Sequence, residues 1–308
     1  MALLPEVEVL LATMAGVGAP PISQLSVDEA RTASLNMAAL AGEPIPVAGV
    51  CDIAIPVEGA SIGARVYTPA GDGPHPIVMF FHGGGWVICN LDTHDNMARI
   101  IARDASAVVV SVDYRMAPEH RFPTAVLDAY AATQWVAAHA SELDGDASRI
   151  AVCGDSAGGN IGAVVSQLAR DRGGPALRFA ALIYPATDMT DRGGSMVENA
   201  SGYFLELADM EWFEGHYLDD DQRSDPLASP LLHPDLSGLP PAFVATCELD
   251  PLRDQGERYA AALRAAGVAA TTKRYDGAIH AIANMTGVLE CGRQMMADVA
   301  AQLRVALH

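Results

Sequence analysis

The stretch that most constrains this chain is Ile150-Ala151-Val152-Cys153-Gly154-Asp155-Ser156-Ala157-Gly158-Gly159. Four apolar residues of strand type run straight into Gly-x-Ser-x-Gly, and a helical pattern starts at once, from Asn160 to Arg172. A strand that becomes a helix so quickly must bend sharply at the serine. Gly154 and Gly158 flank it two residues to either side, where a Cβ would strike the folded-back backbone. Such a bend holds Ser156 in a strained conformation at the tip of a sheet, facing the free N–H groups and positive dipole end of the next helix. Gly-x-Ser-x-Gly alone is a weak signal that a plain glycine-rich turn also satisfies. The strand before it and the helix after it favour a nucleophile elbow.

The rest of the chain supplies an α/β frame for that bend. Half of the 308 residues are hydrophobic and 19% are charged, enough apolar content for a large core and too much for extended disorder. Residues 1–45 read as two helices, Pro5 to Gly16 and Val27 to Leu40, the second opened by the capping box Ser26-Val27-Asp28-Glu29. They precede any strand, so they suit either a cap over the sheet or an ordinary packing pair. Alternating segments at 51–56 and 61–67, joined by Glu58-Gly59, suggest an antiparallel hairpin. Pro76 to Phe81 is a continuous apolar run, as in a buried central strand. Further strands are expected at 107–112, 150–154, 179–183, 242–247 and 270–275. Helices are expected near 95–105, 123–139, 157–172, 252–266 and 287–306. This alternation predicts a mostly parallel sheet covered on both faces. Between 184 and 241 the rhythm breaks into a helical patch, Phe204 to Tyr217, and a proline-rich stretch, which reads as a second cap element. No linker divides the chain, so one domain is expected over 1–308.

A serine hydroxyl needs a base, and the base needs an orienting acid. In an open α/β sheet both partners follow the serine, acid first, each after a later strand. His280 and His308 are the only histidines beyond residue 250, and His308 is terminal. His280, one short loop (276–279) after strand 270–275, is therefore the expected base. The acid is sought in Glu248-Leu249-Asp250-Pro251-Leu252-Arg253-Asp254. Asp250 is the best placed of these, although Asp-Pro is also a helix-start signature. Glu248 is still close to the strand, and Asp254 would point away from inside the helix. Negative charge developing on the substrate needs N–H donors. One is expected from Ala157, and others from His82-Gly83-Gly84-Gly85-Trp86, where three glycines let the backbone approach a ligand or else form a flexible turn. His82 is expected to brace this loop. A metal held by His82, His94 and Asp95 is disfavoured, because no H-x-x-x-H spacing or cysteine supports it.

With H-G-G-G-W at 82–86, G-D-S-A-G-G at 154–159, D-P-L-R-D at 250–254 and His280 in that order, the chain resembles the bacterial hormone-sensitive-lipase-like carboxylesterases. Asp113-Tyr114-Arg115-Met116-Ala117-Pro118-Glu119-His120 is similar to that family's Y-R-L-A-P-E-H segment, with Met116 replacing leucine. The resemblance spans essentially the whole chain. It implies the alpha/beta-hydrolase fold, with a mostly parallel eight-stranded sheet, helices on both faces, and a helical cap from 1–45 and 184–241. It also implies hydrolysis of short- to medium-chain acyl esters without a cofactor. The oxyanion hole would draw on Gly83, Gly84, Gly85 and Ala157, with Gly83 shaping the loop. Glu119 and His120 would be structural. Such proteins commonly carry glycine where this chain has Cys89. A larger side chain there either narrows the pocket, shifts the loop and sets a thiol near the mouth, or is a tolerated packing change.

Serine carboxylesterase chemistry by Ser156, Asp250 and His280 is thus the expected function, with Trp86, Tyr184, Phe204 and Leu205 as apolar candidates for the substrate pocket. Amidase or thioesterase activity uses the same machinery. A non-catalytic small-molecule receptor on this scaffold usually lacks a triad member, and none is missing here. A formal charge of −19 argues against nucleic acid and anionic membrane surfaces as partners. No stretch is long enough to span a bilayer. The apolar run Val9 to Ala19 follows Glu6 and Glu8, the wrong charge for a signal segment. Five cysteines with no C-x-x-C pair suit reduced thiols, Cys153 and Cys247 as small core residues, and a cytoplasmic location. Relatives of this kind often dimerise through the last strand and its neighbouring helix, which leaves a homodimer as an open expectation.

Overall fold

The computed structural model describes residues 2–308. In chain order its elements are α1 (Pro5–Val17), α2 (Val27–Met37), β1 (Gly49–Val57), β2 (Ala60–Thr68), β3 (His75–Phe81), α3 (Asp95–Ala105), β4 (Val108–Asp113) and α4 (Thr124–Ala138). Then follow β5 (Gly145–Asp155), α5 (Ala157–Asp171), β6 (Leu177–Ile183), α6 (Ser195–Glu198), α7 (Leu207–Tyr217), β7 (Ala242–Leu249), α8 (Arg253–Ala265), β8 (Ala270–Ile279) and α9 (Glu290–Leu307). All eight expected strands are present in one sheet of order β1-β2-β4-β3-β5-β6-β7-β8. β1 and β2 form the expected antiparallel hairpin, β2 runs antiparallel to β4, and every later pairing is parallel.

The apolar run at 77–81 is central because both of its faces are covered. Ile77, Met79 and Phe81 point into the core on one side of the sheet, and Val78 and Phe80 into the core on the other. Each fully buried side chain of this size contributes roughly 1.5–3 kcal/mol, so β3 has no solvent-facing register to slip into. Cys153 and Cys247 are buried in the second core, as small hydrophobes. All five cysteines are unpaired. Among the described residues, no helix is long and apolar enough to cross a membrane.

Several elements differ from expectation, β5 among them, which begins at Gly145 rather than 150. The helix expected to reach Leu40 stops at Met37, and residues 38–41 tighten into a 3-10 turn that ends at Gly42, whose φ is +81°. Helix α6 carried no periodic signal because it is one turn long. Residues 276–279, read as a loop, instead continue β8. The strand bulges so that Cys247 pairs with Tyr275 but Leu249 with Ile279. Gly277 makes the bulge at a φ of +68°, with its N–H donated to Glu248 Oε2 at 2.7 Å.

The N-terminal helices and the 184–241 insertion each lie against the strand ends. Leu4 N–H bonds to Gly277 O at 3.0 Å, and Glu6 accepts the N–H groups of Glu290 and Cys291 at the start of α9, both at 2.8 Å. The capping box at Ser26 and Glu29 forms as its sequence predicts. Ser23 N–H reaches Asp209 Oδ1 of α7 at 2.9 Å, so the two segments also meet each other.

Candidate active site

Four strands deliver four residues to the same edge of the sheet. His82 directly follows β3, Ser156 follows β5, Asp250 follows β7, and His280 follows β8. These are carboxyl ends of parallel strands, where an open α/β sheet leaves its crevice. His280 Nε2 lies 2.9 Å from Ser156 Oγ, and His280 Nδ1 lies 2.7 Å from Asp250 Oδ2. Asp250 is fully buried and His280 is 5% exposed, so the pair is screened little by solvent. The second carboxylate oxygen of Asp250 accepts the N–H of Leu252 at 2.8 Å. Asn199, from the insertion, donates to the Asp250 carbonyl at 3.2 Å. Asp254, the alternative acid, faces elsewhere, bonded to Ser195 N–H at 2.9 Å and Arg253 Nε at 2.8 Å.

The bend at Ser156 is as sharp as its sequence requires. The serine has φ +56° and ψ −117°, a conformation costing on the order of 1–3 kcal/mol for a residue with a Cβ. Its N–H is held by Ile183 O at 2.8 Å, and its carbonyl accepts from Asn160 N at 3.0 Å. A Cβ on Gly158 would sit 1.9 Å from Phe81 O, and one on Gly154 would sit 2.4 Å from Gly158 O. Only glycine fits at either place.

Opposite the serine lies the 82–88 loop. Among the described residues, the backbone N–H groups of Gly84, Gly85 and Ala157 have no backbone or side-chain acceptor, and Ala157 opens α5, where the helix leaves its first donors free. Gly83 differs from its neighbours. Its N–H is donated to Asp155 Oδ1 at 2.9 Å, so it holds the loop in place and is not a free donor. Asp155 is itself buried against His94, with Nε2 to Oδ1 at 3.2 Å. Burial alone would raise the Asp155 carboxyl, but the neighbouring His94, by proximity and hydrogen bond, with smaller contributions from His82 and His280, outweighs it and holds the group below its ordinary value. His82 braces the loop as expected: its Nδ1 lies 2.7 Å from Gly83 O, and its carbonyl accepts Tyr114 OH at 2.7 Å. Burial, reinforced by His94, pushes the His82 ring down to about 4. His82, His94 and Asp95 do not converge, since Asp95 turns away to Tyr67 OH and Arg99.

Residues 78–284 match the family described as the alpha/beta hydrolase fold. The chain belongs to the hormone-sensitive-lipase-like branch of the alpha/beta-hydrolases. It is 48% identical over 243 residues to the carboxylic ester hydrolase LipN of Mycobacterium tuberculosis, a match covering 77% of this chain and 65% of LipN, a little under two thirds of that protein. It is 46% identical to the carboxylesterase NlhH of Mycobacterium tuberculosis over 252 residues, 80% of this chain and 79% of NlhH. The solved structure of a hyperthermophilic esterase from Pyrobaculum calidifontis superposes with a TM-score of 0.94 at 42% identity, over 99% of each chain.

The expected pocket residues of this alpha/beta-hydrolase are not gathered on one open wall. Trp86 is 4% exposed and stacked on Tyr217, with ring centroids 4.4 Å apart and planes 2° apart. Tyr184 is fully buried with its ring 4.5 Å from that of His280, a support behind the imidazole. Phe204 and Leu205 are half-buried and pack against opposite cores. Phe213 of α7, which the sequence did not single out, underlies the donor loop: a Cβ on Gly85 would lie 2.3 Å from its ring. The pairing of His94 with Asp155 was also missed. Its only sequence signal is an acidic residue beside Ser156, which must find a partner if buried.

Cys89 borders a cleft of about 460 Å³ between α2 and the 113–120 segment, whose lining does not include Ser156. Its φ is +69°, which explains why glycine suits this position. Its side chain packs close to Gly84, whose Cβ, if present, would lie 2.9 Å from the Cys89 Cβ. Burial, with a contribution from Asp155, pushes the thiol up to about 12. The residue therefore packs against the donor loop, with its thiol held toward the neutral form.

Proposed function

We propose that Ser156, His280 and Asp250 form the triad with which this carboxylesterase cleaves esters through an acyl-enzyme. His280 Nε2 takes the Ser156 proton as Oγ attacks the ester carbonyl, and the imidazolium that forms is stabilised by the buried Asp250 carboxylate. The carbonyl oxygen becomes an oxyanion held by the N–H groups of Gly84, Gly85 and Ala157, which are already oriented before the reaction. His280 then returns the proton to the leaving alcohol. Water attacks the acyl-enzyme with the same base, and the acid leaves. The observation that carries this reading is the continuous bonding from Asp250 through His280 to Ser156, 2.7 Å and then 2.9 Å.

The same reading makes residues 1–45 and 184–241 a cap over the strand ends, limiting the pocket to esters of short and medium acyl chain. Supporting it are the contacts by which Asn199, Phe213 and Ser23 tie these segments to the acid, the donor loop and each other. The unpaired thiols suit a reducing compartment, and the reading extends to a cytoplasmic location. The test is kinetic and covalent. Nitrophenyl esters of increasing acyl length are expected to be hydrolysed fastest at the short end by the wild type and not by Ser156→Ala. A fluorophosphonate should add its mass to the peptide containing Ser156. An adduct elsewhere, or a wild type as inactive as Ser156→Ala, would overturn the assignment.

A further inference from the structure

Arg31 of α2 reaches across to the back of the donor loop with four of its five N–H groups engaged. Nε donates to Val87 O at 3.0 Å, Nη2 to Ala117 O at 3.0 Å, and the fork grips both oxygens of Glu119 at 2.7 Å. Ala117 N–H in turn donates to Trp86 O at 2.9 Å, so the guanidinium closes a joint that already links the 82–88 loop to the 113–120 segment. None of these bonds involves Ser156, Asp250 or His280. What matters is the route from Val87 to the donors.

The turn after the glycines is tight. The N–H groups of both Val87 and Ile88 converge on Gly84 O, at 3.1 and 2.9 Å. Gly84 C=O and Gly85 N–H belong to one planar trans peptide, so they point in opposite directions. Fixing the Gly84 carbonyl therefore fixes the direction of the Gly85 N–H. Gly84 has φ +107° and Gly85 φ +57°, and glycine backbone of this kind has little stiffness of its own. Its rigidity must come from what holds Val87 and Ile88. Arg31 Nε is the side-chain donor that holds the Val87 carbonyl.

We infer that Arg31 is a positioning residue of the oxyanion hole, setting the aim of the Gly85 N–H through Val87 and Gly84. This rests on the esterase reading above and adds a role for the N-terminal helix in the chemical step. A donor must lie about 2.7–3.1 Å from the oxyanion, a window a few tenths of an ångström wide, and losing one outright costs on the order of 10²–10³ in turnover. Loosening its support costs less, on the order of tenfold. Because the oxyanion exists only in the transition state, the loss falls on kcat rather than on KM.

The test compares Arg31→Lys with Glu119→Gln. Lysine keeps the charge but cannot satisfy two carbonyls and a carboxylate in one plane. Arg31→Lys is expected to lower kcat about tenfold or more, leave KM within about threefold, and weaken a trifluoromethyl ketone inhibitor, which forms a tetrahedral adduct, by the same factor as kcat/KM. Glu119→Gln leaves Arg31 its two carbonyls and is expected to keep kcat within about threefold. Should Arg31→Lys not fold, Arg31→Met combined with Glu119→Gln carries the same expectation without an unpaired charge. Rates and ketone affinity at wild-type level per folded molecule in the Arg31 variant would overturn the inference, as would an equal kcat loss in Glu119→Gln. A wild type unable to hydrolyse the ester would instead refute the esterase reading.

Discussion

Replacing Asp250 by asparagine changes one atom, and the surrounding bonds dictate what that atom does. In the native protein Oδ1 accepts the N–H of Leu252 at 2.8 Å and Oδ2 faces His280 Nδ1 at 2.7 Å. An amide has one acceptor oxygen and one NH₂. Turning the NH₂ toward Leu252 would oppose two donors inside a fully buried site, so the amide oxygen stays on Leu252 and the NH₂ faces His280. His280 Nδ1 must then be the acceptor, which places the ring proton on Nε2, against Ser156 Oγ. The base is present, correctly placed and in the wrong tautomer. The expected loss in kcat is on the order of 10³–10⁴, or about 4–5 kcal/mol at 1.36 kcal/mol per decade. The stability cost should be small, since shape and burial are unchanged. The assay is initial-rate hydrolysis of a nitrophenyl butyrate at neutral pH, with thermal melts to confirm folding. Asp254→Asn serves as the control, because that carboxylate is engaged with Ser195 and Arg253 and should matter for the loop but not for the tautomer. A folded Asp250→Asn enzyme that loses less than about tenfold, or a larger loss in a folded Asp254→Asn, would refute the reasoning.

Two further outcomes follow from burial. Alkylation by iodoacetamide at pH 8 should label the exposed Cys51 well before Cys89, whose thiol is pushed up to about 12; peptide mass mapping reads the order, and preferential labelling of Cys89 would contradict its packing role. The His82 ring, ordinarily near 6.5 and pushed down to about 4 by burial, stays neutral in the folded protein while the unfolded chain takes up a proton. Stability should therefore fall as pH drops from about 6.5 to 4, by up to roughly 3 kcal/mol from this group alone, and level off below. An NMR titration placing the His82 midpoint near 6.5 would remove that contribution.

How much of this was legible in the sequence depended on the range of the cause. The elbow, the capping box at Ser26 and the strand at 77–81 are set by residues within one turn or one strand, and all three stand where their patterns put them. The order acid-then-base picked out His280 because a strand must precede it, although the strand runs four residues further than its alternation suggested. That extension depends on a bulge matched to β7, which no local pattern encodes. Pocket residues were the least legible. Trp86 and Tyr184 are large and apolar and lie near the motifs, but what they face is set by Tyr217 and His280, each remote in the chain. Arg31 and Phe213 carried no signal, since the loop they support is more than 50 residues from the first and more than 100 from the second.

The distribution of backbone strain explains why those remote supports are needed. Among the described residues, eight non-glycine residues have positive φ, and five of them lie in or directly beside the triad and donor loop: Trp86, Cys89, Ser156, Tyr184 and Ala281. Each costs on the order of 1–3 kcal/mol, so together they rival the whole net stability of an ordinary domain. A site like this does not persist through local preference. It persists because neighbouring groups hold it in place: Ile183 holds the serine, Asp155 and Tyr114 the glycine loop, Arg31 the turn behind it, and Tyr217 the tryptophan. Two of those grips come from outside the sheet, Arg31 from the N-terminal helices and Tyr217 from the insertion. In the proposed mechanism, the segments proposed as a cap over the pocket are thereby also part of what keeps its donors aimed.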